Sequence, residues 1–251
     1  MDHYENFPVA SWLCPPHLRA PILSLYGFAR TADDLADEGE ASPQDRLEAL
    51  AHYRQDLRHA LEEKTVESTR WPRVFADLAQ QHRHWAFPRA LLEALLDAFE
   101  QDVVYTRDQR VYRHRAELLD YCDRSANPVG RLLLHLVRVQ DAESLAMSDA
   151  ICSALQLINF WQDLSVDVPR GRHYLPPGAS LAEEMAWARQ LMLRGAPLVH
   201  RLPGRFGWEL RLVVQGGLRL LDKAERIDTR LTRPVITRWD GPLMLWRASR
   251  M

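Results

Sequence analysis

The chain has 251 residues, of which 47% are hydrophobic and 26% are charged. This length allows either one large domain or two small ones, and the composition is that of a water-soluble globular protein. The formal net charge of −2 gives no electrostatic case for binding nucleic acid.

Signals for export or membrane insertion are not found in the sequence. The segment 1–6 is acidic and polar, unlike a secretory signal, and no apolar run approaches the roughly 20 residues of a membrane span. The three cysteines, Cys14, Cys122 and Cys152, have no metal-binding or redox spacing, which suits a reducing compartment. We therefore expect a soluble cytoplasmic protein, with peripheral contact to a membrane left open.

Helical periodicity runs through nearly all of the chain, whereas the alternating pattern of β-strands is absent. Prolines, glycines and capping residues mark where the helices begin and end. We predict helices over 22–38, 43–63, 88–106, 115–139, 144–166 and 208–227. Three more are predicted to start at 72, at Ser180 and after 240. A break is expected at Asn127-Pro128, and Ser180 and Glu183 are predicted to form a capping box. The sequence therefore predicts one all-α domain over residues 1–251, with about eight to ten helices.

A first acidic stripe lies at the end of the first predicted helix, where Asp33 and Asp37 are four residues apart and share a face. The preceding residues are apolar, so the helix is predicted to be mostly buried, and the C-terminal dipole of a helix disfavours anions. The alternative is a solvated helix end with a surface ion pair between Arg30 and Asp34.

A second stripe consists of Gln156, Asn159, Asp163 and Asp167, within a helix that is apolar on nearly all sides. Such a helix is predicted to be central, and charges inside it are costly unless they are paired or bound to a metal. The alternative is a set of buried ion pairs with arginines.

The cost of like charges favours a bridging cation between the two stripes. Two carboxylates about 4 Å apart repel by roughly 4 kcal/mol at an effective dielectric constant of 20. Several such pairs are large against a total stability of about 5–15 kcal/mol. Magnesium prefers oxygen ligands and uses few carboxylates together with substrate phosphate oxygens, so the two stripes predict a magnesium–diphosphate site.

Two further segments carry candidate residues. The loop 169–176 contains Arg170 and Arg172, and the guanidinium of Arg172 suits a clamp on diphosphate oxygens; a basic surface loop is the alternative. The segment 121–130, from Tyr121 through Asn127, combines small residues with a proline, which indicates either a cavity wall or a packing kink.

These segments together resemble the squalene and phytoene synthase family, over about residues 6–248. The resemblance rests on three motifs in order, which are Tyr26-x-x-x-Arg30-x-x-Asp33-Asp34-x-x-Asp37, Gln156-x-x-Asn159-x-x-x-Asp163-x-x-x-Asp167 and Arg170-Gly-Arg172-x-Tyr174-Leu-Pro. It implies an all-α prenyl synthase fold with a central apolar cavity for isoprenoid tails. It also implies Mg²⁺ as the cofactor, with five ligands: Asp33, Asp37, Asn159, Asp163 and Asp167.

Shorter segments at 6–11, 125–130, 159–163 and 217–223 resemble the bacterial branch that converts presqualene diphosphate and water to hydroxysqualene and diphosphate. The resemblance implies catalytic roles for Asp33 and Asp37 at the metal. We expect Tyr121 to support the carbocation and Asn127 to position the water, because an amide in a cavity wall needs a partner. The expected substrate-binding residues are Tyr26, Arg30, Gln156, Arg172 and Tyr174.

Other activities share these residues. A sister enzyme that couples two prenyl diphosphates, forming presqualene diphosphate, squalene or phytoene, has the same metal ligands. Gln162 stands where phytoene synthases usually carry arginine, and the chain is short around 178–187, which affects how the site is covered. A non-catalytic helical scaffold is the remaining alternative. The expected partner is an isoprenoid diphosphate and not nucleic acid, with contacts to a membrane and to pathway enzymes left open.

Overall fold

The computed structural model describes residues 14–62 and 68–251. Their backbone forms α-helices and short 3₁₀-helices, and the one β-type pairing among them is an isolated bridge between Val111 and His173. The α-helices are α1 Pro16–Asp37, α2 Pro43–Leu61, α3 Pro72–Trp85, α4 Arg89–Arg107, α5 Arg115–Ser125, α6 Asn127–Leu136, α7 Ala142–Gln162, α8 Leu164–Asp167, α9 Leu181–Gly195, α10 Gly204–Ala224 and α11 Gly241–Ala248. The predicted all-α class is confirmed.

Proline and a capping side chain define the start of α2 as predicted. Ser42 Oγ accepts a hydrogen bond from the Asp45 backbone N–H at 3.2 Å, and Asp45 Oδ2 accepts one from the Ser42 N–H at 3.3 Å. Together these bonds satisfy two of the N–H groups that a helix start leaves unpaired. The prediction that a capping box opens α9 is wrong, because the helix starts after Ser180 without a side-chain cap bond.

Two predicted helix starts are too late by at least four residues. Helix α1 begins at Pro16 rather than Ile22, and Pro21 lies buried inside it. Proline removes one backbone hydrogen bond, and the packing of the buried face holds the helix together across that point. Helix α10 begins at Gly204, before the predicted start at Trp208.

The helices are interrupted at two places where polar residues follow an apolar segment. The predicted break at Asn127-Pro128 is confirmed, since α5 ends at Ser125 and α6 begins at Asn127. The predicted helix 144–166 is divided, because α7 ends at Gln162 and Asp163 separates it from α8.

Helix α7 forms the centre of the core. Ala154, Leu157 and Trp161 on α7 are fully buried, and the helix packs against α5, α6, α9 and α10. Helix α1 packs against α2, α3 and α4. No helix among residues 14–62 and 68–251 is long and apolar enough to cross a membrane. The segment 6–11 that contributed to the resemblance lies outside the described residues, and the single-domain organisation stays a prediction.

Candidate functional site

An apolar cavity of about 400 Å³ lies between α1, α6, α7 and α10. Its walls are almost entirely hydrocarbon, with Ser148, Cys152, Glu209 and Tyr26 as the polar members. Among the apolar residues that line it are Ile22, Leu25, Ala29, Leu95, Val129, Leu133, Ile151, Leu155, Leu202, Phe206 and Leu210. The resemblance implies an apolar cavity, and this cavity is the candidate for it.

One face of α1 connects this cavity to the first acidic stripe. Ile22, Tyr26 and Ala29 line the cavity, and Asp33 and Asp37 continue the same three- and four-residue spacing. Seven residues of helix rise by roughly 10 Å. The carboxylates of α1 therefore lie about two helical turns beyond the residues that line the cavity.

Helix α7 has the same arrangement. Ser148, Cys152 and Leu155 line the cavity, and at the same spacing Asn159 and Asp163 follow at the end of the helix. Both helices therefore carry their acidic residues at the C-terminal end, beyond the cavity wall.

Arginines contact the first stripe in this structure. The Arg30 guanidinium lies 2.9 Å from Asp33 Oδ2 and 2.5 Å from Asp34 Oδ1. Arg172, in the loop after α8, donates a hydrogen bond to Asp37 Oδ2 at 3.1 Å. This bond joins the Arg-Gly-Arg loop to α1, across 135 residues of sequence.

The second stripe divides at the break between α7 and α8. Asp163 follows the last residue of α7, and both of its oxygens accept hydrogen bonds from Arg233. Asp167 ends α8. Gln156 is half-buried, whereas Asn159 is exposed.

The carboxylates raise one another's pKa values across the two stripes. Burial raises the pKa of Asp33 to about 6, and the negative charge of Asp37 adds to the shift. Burial also raises the pKa of Asp167 to about 6, against the lowering effect of Arg172, with Asp163 and Asp37 raising it further. Arg172 joins the two stripes, because its side chain donates a hydrogen bond to Asp37 and its backbone N–H donates one to the Asp167 carbonyl at 3.0 Å.

The donor set fits a hard divalent cation. The oxygen Asp37 Oδ1 is buried without a hydrogen-bond partner, and an unpartnered buried carboxylate oxygen is costly. Within the described parts of the chain no three acidic, histidine or cysteine side chains already surround one point. The arginine pairs that the sequence left as an alternative are present, so any cation bound here would compete with these guanidinium groups for the same carboxylates.

Four aromatic rings lie beside the acidic residues. The rings of Tyr174 and Phe160 stack at 3.7 Å with an angle of 6° between their planes. The rings of Tyr121 and Tyr112 pack around them, at centroid distances of 5.9 Å from Phe160 and 5.8 Å from Tyr174. Tyr121 and Tyr174 are buried in this cluster and lie outside the lining of the 400 Å³ cavity.

Asp102 belongs to the site and was missed from the sequence. Its Oδ2 accepts a hydrogen bond from the Tyr121 hydroxyl at 2.6 Å. Burial raises the pKa of Asp102 to about 7, although the bond from Tyr121 lowers it. A signal exists in the sequence, because Asp102 continues the buried face of α4 that contains Leu92 and Leu95.

Arg233 was also missed, because it is 70 residues from Asp163 and lies in a loop without periodicity. The Gln162 side chain donates a hydrogen bond to the Pro234 carbonyl at 2.6 Å, which holds that loop against the end of α7.

Asn127 corrects an expectation. Its Nδ2 donates to Asp123 Oδ1 at 2.7 Å, and its Oδ1 accepts from Ser153 Oγ at 3.0 Å. The residue is buried at the start of α6 and is not part of the cavity lining. The expectation of an amide in need of a partner is therefore wrong, and the geometry favours a packing role for this side chain.

Comparison with known proteins gives consistent results. The sequence profile described as squalene/phytoene synthase matches residues 1–177. A hydroxysqualene synthase from Zymomonas mobilis is 40% identical over 175 residues, which are 68% of this chain and 54% of that protein. A presqualene diphosphate synthase from Rhodopseudomonas palustris is 29% identical over 232 residues, 89% of this chain and 79% of that protein. The crystal structure of the squalene synthase HpnC from Alicyclobacillus acidocaldarius has a TM-score of 0.77 at 33% identity and covers 89% of both chains.

Proposed function

The chain belongs to the squalene/phytoene synthase family, and on that premise we propose that it converts presqualene diphosphate and water to hydroxysqualene and diphosphate. The relative that is 40% identical and named hydroxysqualene synthase supports this choice. The chain spans about half the length of that relative, 54%, so the activity is a proposal and not a property read from the match.

The observation that carries the proposal is that an apolar cavity leads directly to a group of acidic side chains. Helices α1 and α7 line an apolar cavity, and Arg172 links the acidic ends beyond it, because it bonds to Asp37 at the end of α1 and to the backbone of Asp167 in α8, which follows α7. A prenyl diphosphate has the same polarity, because a hydrocarbon tail ends in a multiply charged anion. Such a substrate would bury its tail in the cavity. Its diphosphate would lie at the acidic helix ends, where the arginines and the proposed metal ion are.

Cationic side chains at this end suit the diphosphate. Arg30 forms an ion pair with Asp33, and Arg172 forms one with Asp37. Guanidinium groups also bind phosphate oxygens, for which their planar geometry allows two parallel hydrogen bonds. Mg²⁺, when bound, neutralises charge on the departing diphosphate. The proposed ligands are Asp33, Asp37, Asn159, Asp163 and Asp167. The proposed substrate contacts are Tyr26 and Gln156 along the two helices and Tyr174 in the loop.

The reaction breaks the bond between carbon and the diphosphate oxygen, the cyclopropylcarbinyl cation then rearranges and its ring opens, and a bond forms between carbon and the oxygen of one water. Tyr121 is proposed to stabilise the carbocation with its ring from the aromatic cluster beside the acidic residues, outside the cavity lining, and its hydroxyl donates a hydrogen bond to Asp102 there. The captured water loses one proton. Asp102, with its pKa raised by burial to about 7, is the proposed acceptor because a base with a pKa near the working pH is effective.

A second candidate is the coupling of two prenyl diphosphates to presqualene diphosphate. It is favoured by the match to a presqualene diphosphate synthase over 89% of this chain. The same acidic ends and cavity serve both reactions, so substrate choice decides between them. A cytoplasmic location, peripheral contact with a membrane and contact with pathway enzymes are part of the proposal.

The deciding experiment incubates the purified chain with Mg²⁺ and either presqualene diphosphate or farnesyl diphosphate, without a reductant, and identifies the products by mass spectrometry. We expect hydroxysqualene from presqualene diphosphate. Presqualene diphosphate formed from farnesyl diphosphate, with no hydroxysqualene, favours the second candidate. No product from either substrate overturns both and favours a non-catalytic scaffold.

A matched pair of variants separates the site from general stability. Arg172→Gln removes a guanidinium that contacts Asp37, and Arg131→Gln removes one that contacts Asp149 on the exposed side of α6 and α7. We expect Arg172→Gln to lower the turnover at least about a hundredfold, as for loss of a transition-state contact, while Arg131→Gln keeps most of it.

A further inference from the structure

The outer side of α11 exposes large apolar side chains. Trp239 is 77% exposed, Leu245 is 55% exposed and Trp246 is 53% exposed. With Pro242, also exposed, they repeat every three or four residues and form one side of the helix and of the turn before it. We name these four residues the α11 face. A surface helix of a globular protein normally has polar residues on its solvent-exposed side, whereas the exposed side of α11 is apolar.

Helix α11, which exposes these side chains, is held firmly against the rest of the protein. On the inner side of α11, Arg247 donates a hydrogen bond to Asp222 Oδ2 at 2.8 Å, and Ala248 is fully buried. Before the helix, Asp240 accepts hydrogen bonds from Arg219 at 2.7 Å and Lys223 at 2.5 Å. These bonds fix α11 on α10, so the apolar face is held outward by the fold.

Two arginines lie beside the face. The Arg238 guanidinium lies 5.0 Å from the centre of the Trp239 ring, and that of Arg250 lies 4.1 Å from the Trp246 ring. Each exposed tryptophan therefore has an arginine beside it.

We propose that the α11 face docks on the surface of an anionic lipid bilayer. Tryptophan prefers the interface between water and lipid, and arginine places its aliphatic part along apolar surface while its charge stays with the phosphates. Basic residues near an apolar face add attraction to anionic lipids. A second copy of the chain is a poorer partner, because a two-fold contact through this face brings two sets of arginines together.

The test is flotation of the purified 251-residue chain with phosphatidylcholine vesicles, with and without phosphatidylglycerol. We expect binding to the vesicles that contain phosphatidylglycerol, and weaker binding in high salt. Leu245→Ala lowers the affinity about tenfold, the loss expected for one buried leucine side chain cut to alanine. Arg238→Gln and Arg250→Gln lower it by about fivefold each.

Control variants lie on other helices. Leu193 on α9 is 54% exposed, so Leu193→Ala removes the same side chain from an equally exposed site. Arg73→Gln and Arg83→Gln remove exposed arginines from α3. We expect all three controls to bind as the parent chain does, with unchanged thermal midpoints in the whole set.

Several results overturn the proposal. These are absence of binding to the anionic vesicles, equal binding to neutral vesicles, or equal losses in Leu193→Ala and Leu245→Ala. The face is instead a contact between copies if sedimentation shows a dimer that Leu245→Ala dissociates while vesicle binding is absent. The test contains no prenyl substrate, so its outcome is independent of the proposed reaction.

Discussion

Replacing Asp37 by asparagine tests whether the acidic ends are built for a ligand or for arginine pairs. Asp37 contacts Arg172 at 3.1 Å and raises the pKa values of Asp33 and Asp167. The substitution removes one attraction and two repulsions. If the carboxylates serve only to pair arginines, the loss of the Arg172 contact dominates.

The structure sets the scale of the opposing effects. Exposed ion pairs contribute up to about 1 kcal/mol, and breaking a fully buried one costs about 3–5 kcal/mol. The pair between Asp37 and Arg172 lies between these limits, at 18% and 20% exposure. Relief of the repulsion from Asp33 and Asp167 offsets much of that cost. We therefore expect the free energy of unfolding without ligand to change by about 1 kcal/mol or less, a shift of roughly 2–4 °C in thermal midpoint.

The ligand response is expected to change much more. At about 100 times its dissociation constant a ligand adds about 2.7 kcal/mol, which raises the thermal midpoint of a chain of this size by roughly 5–10 °C. We expect Mg²⁺ with pyrophosphate to produce this rise in the parent chain. In Asp37→Asn the rise is expected to fall below about 2 °C, because the cation loses a ligand and the anion loses its bridge.

Asp149→Asn is the matched control for this measurement. Asp149 is 21% exposed and also pairs with an arginine, Arg131, at 2.5 Å. Its variant is expected to be less stable without ligand and to keep the full response to Mg²⁺ and pyrophosphate. An Asp37→Asn variant that is destabilised by about 3 kcal/mol or more, with an unchanged ligand response, refutes the reasoning.

Three further results are expected. Ala29→Phe places a ring in the cavity of about 400 Å³ and is expected to abolish turnover of a prenyl diphosphate without lowering the thermal midpoint, whereas Ala29→Ser keeps both. Tyr53→Phe removes a buried hydrogen bond to the Phe28 carbonyl at 3.0 Å and is expected to cost about 1 kcal/mol in urea unfolding; no change in midpoint contradicts this. Because burial raises the pKa of Asp102 to about 7, the folded chain keeps a proton that the unfolded chain has lost, so Asp102 lowers the stability by at most about 4 kcal/mol as pH rises from about 4 to about 7. Asp33 and Asp167, whose pKa values are raised to about 6, act in the same direction, so Asp102→Asn is expected to reduce this dependence without removing it; an unchanged slope in urea unfolding across that range argues against the raised pKa.

Much of the fold could be predicted because the helix-starting and helix-breaking residues agree with the helical periodicity along the chain. Pro43 and Pro72 open helices as their positions predict, and Pro128 coincides with the break between α5 and α6. Tertiary packing decided the other boundaries. Pro21 predicts a boundary by its missing N–H, yet it lies inside α1 because a buried apolar face outweighs one lost hydrogen bond.

The candidate site was predicted less completely than the fold. Helical spacing placed Asp33 with Asp37 and Asn159 with Asp163, because those contacts are local. The partners that come from distant segments carry no local signal. Arg233 contacts Asp163 from an irregular loop, and Asp102 receives its bond from Tyr121 on another helix. The roles of all these residues in metal and substrate binding stay predictions.

The most direct test of the account is diffraction from crystals grown with Mn²⁺ and an unreactive thiolo analogue of a prenyl diphosphate, recorded to show the anomalous signal of manganese. We expect manganese between the end of α1 and the end of α7, bound by oxygens from both acidic stripes, with Arg30 and Arg172 turned to the diphosphate and the hydrocarbon in the cavity. Manganese bound elsewhere, with the arginines still paired to Asp33 and Asp37, contradicts the account.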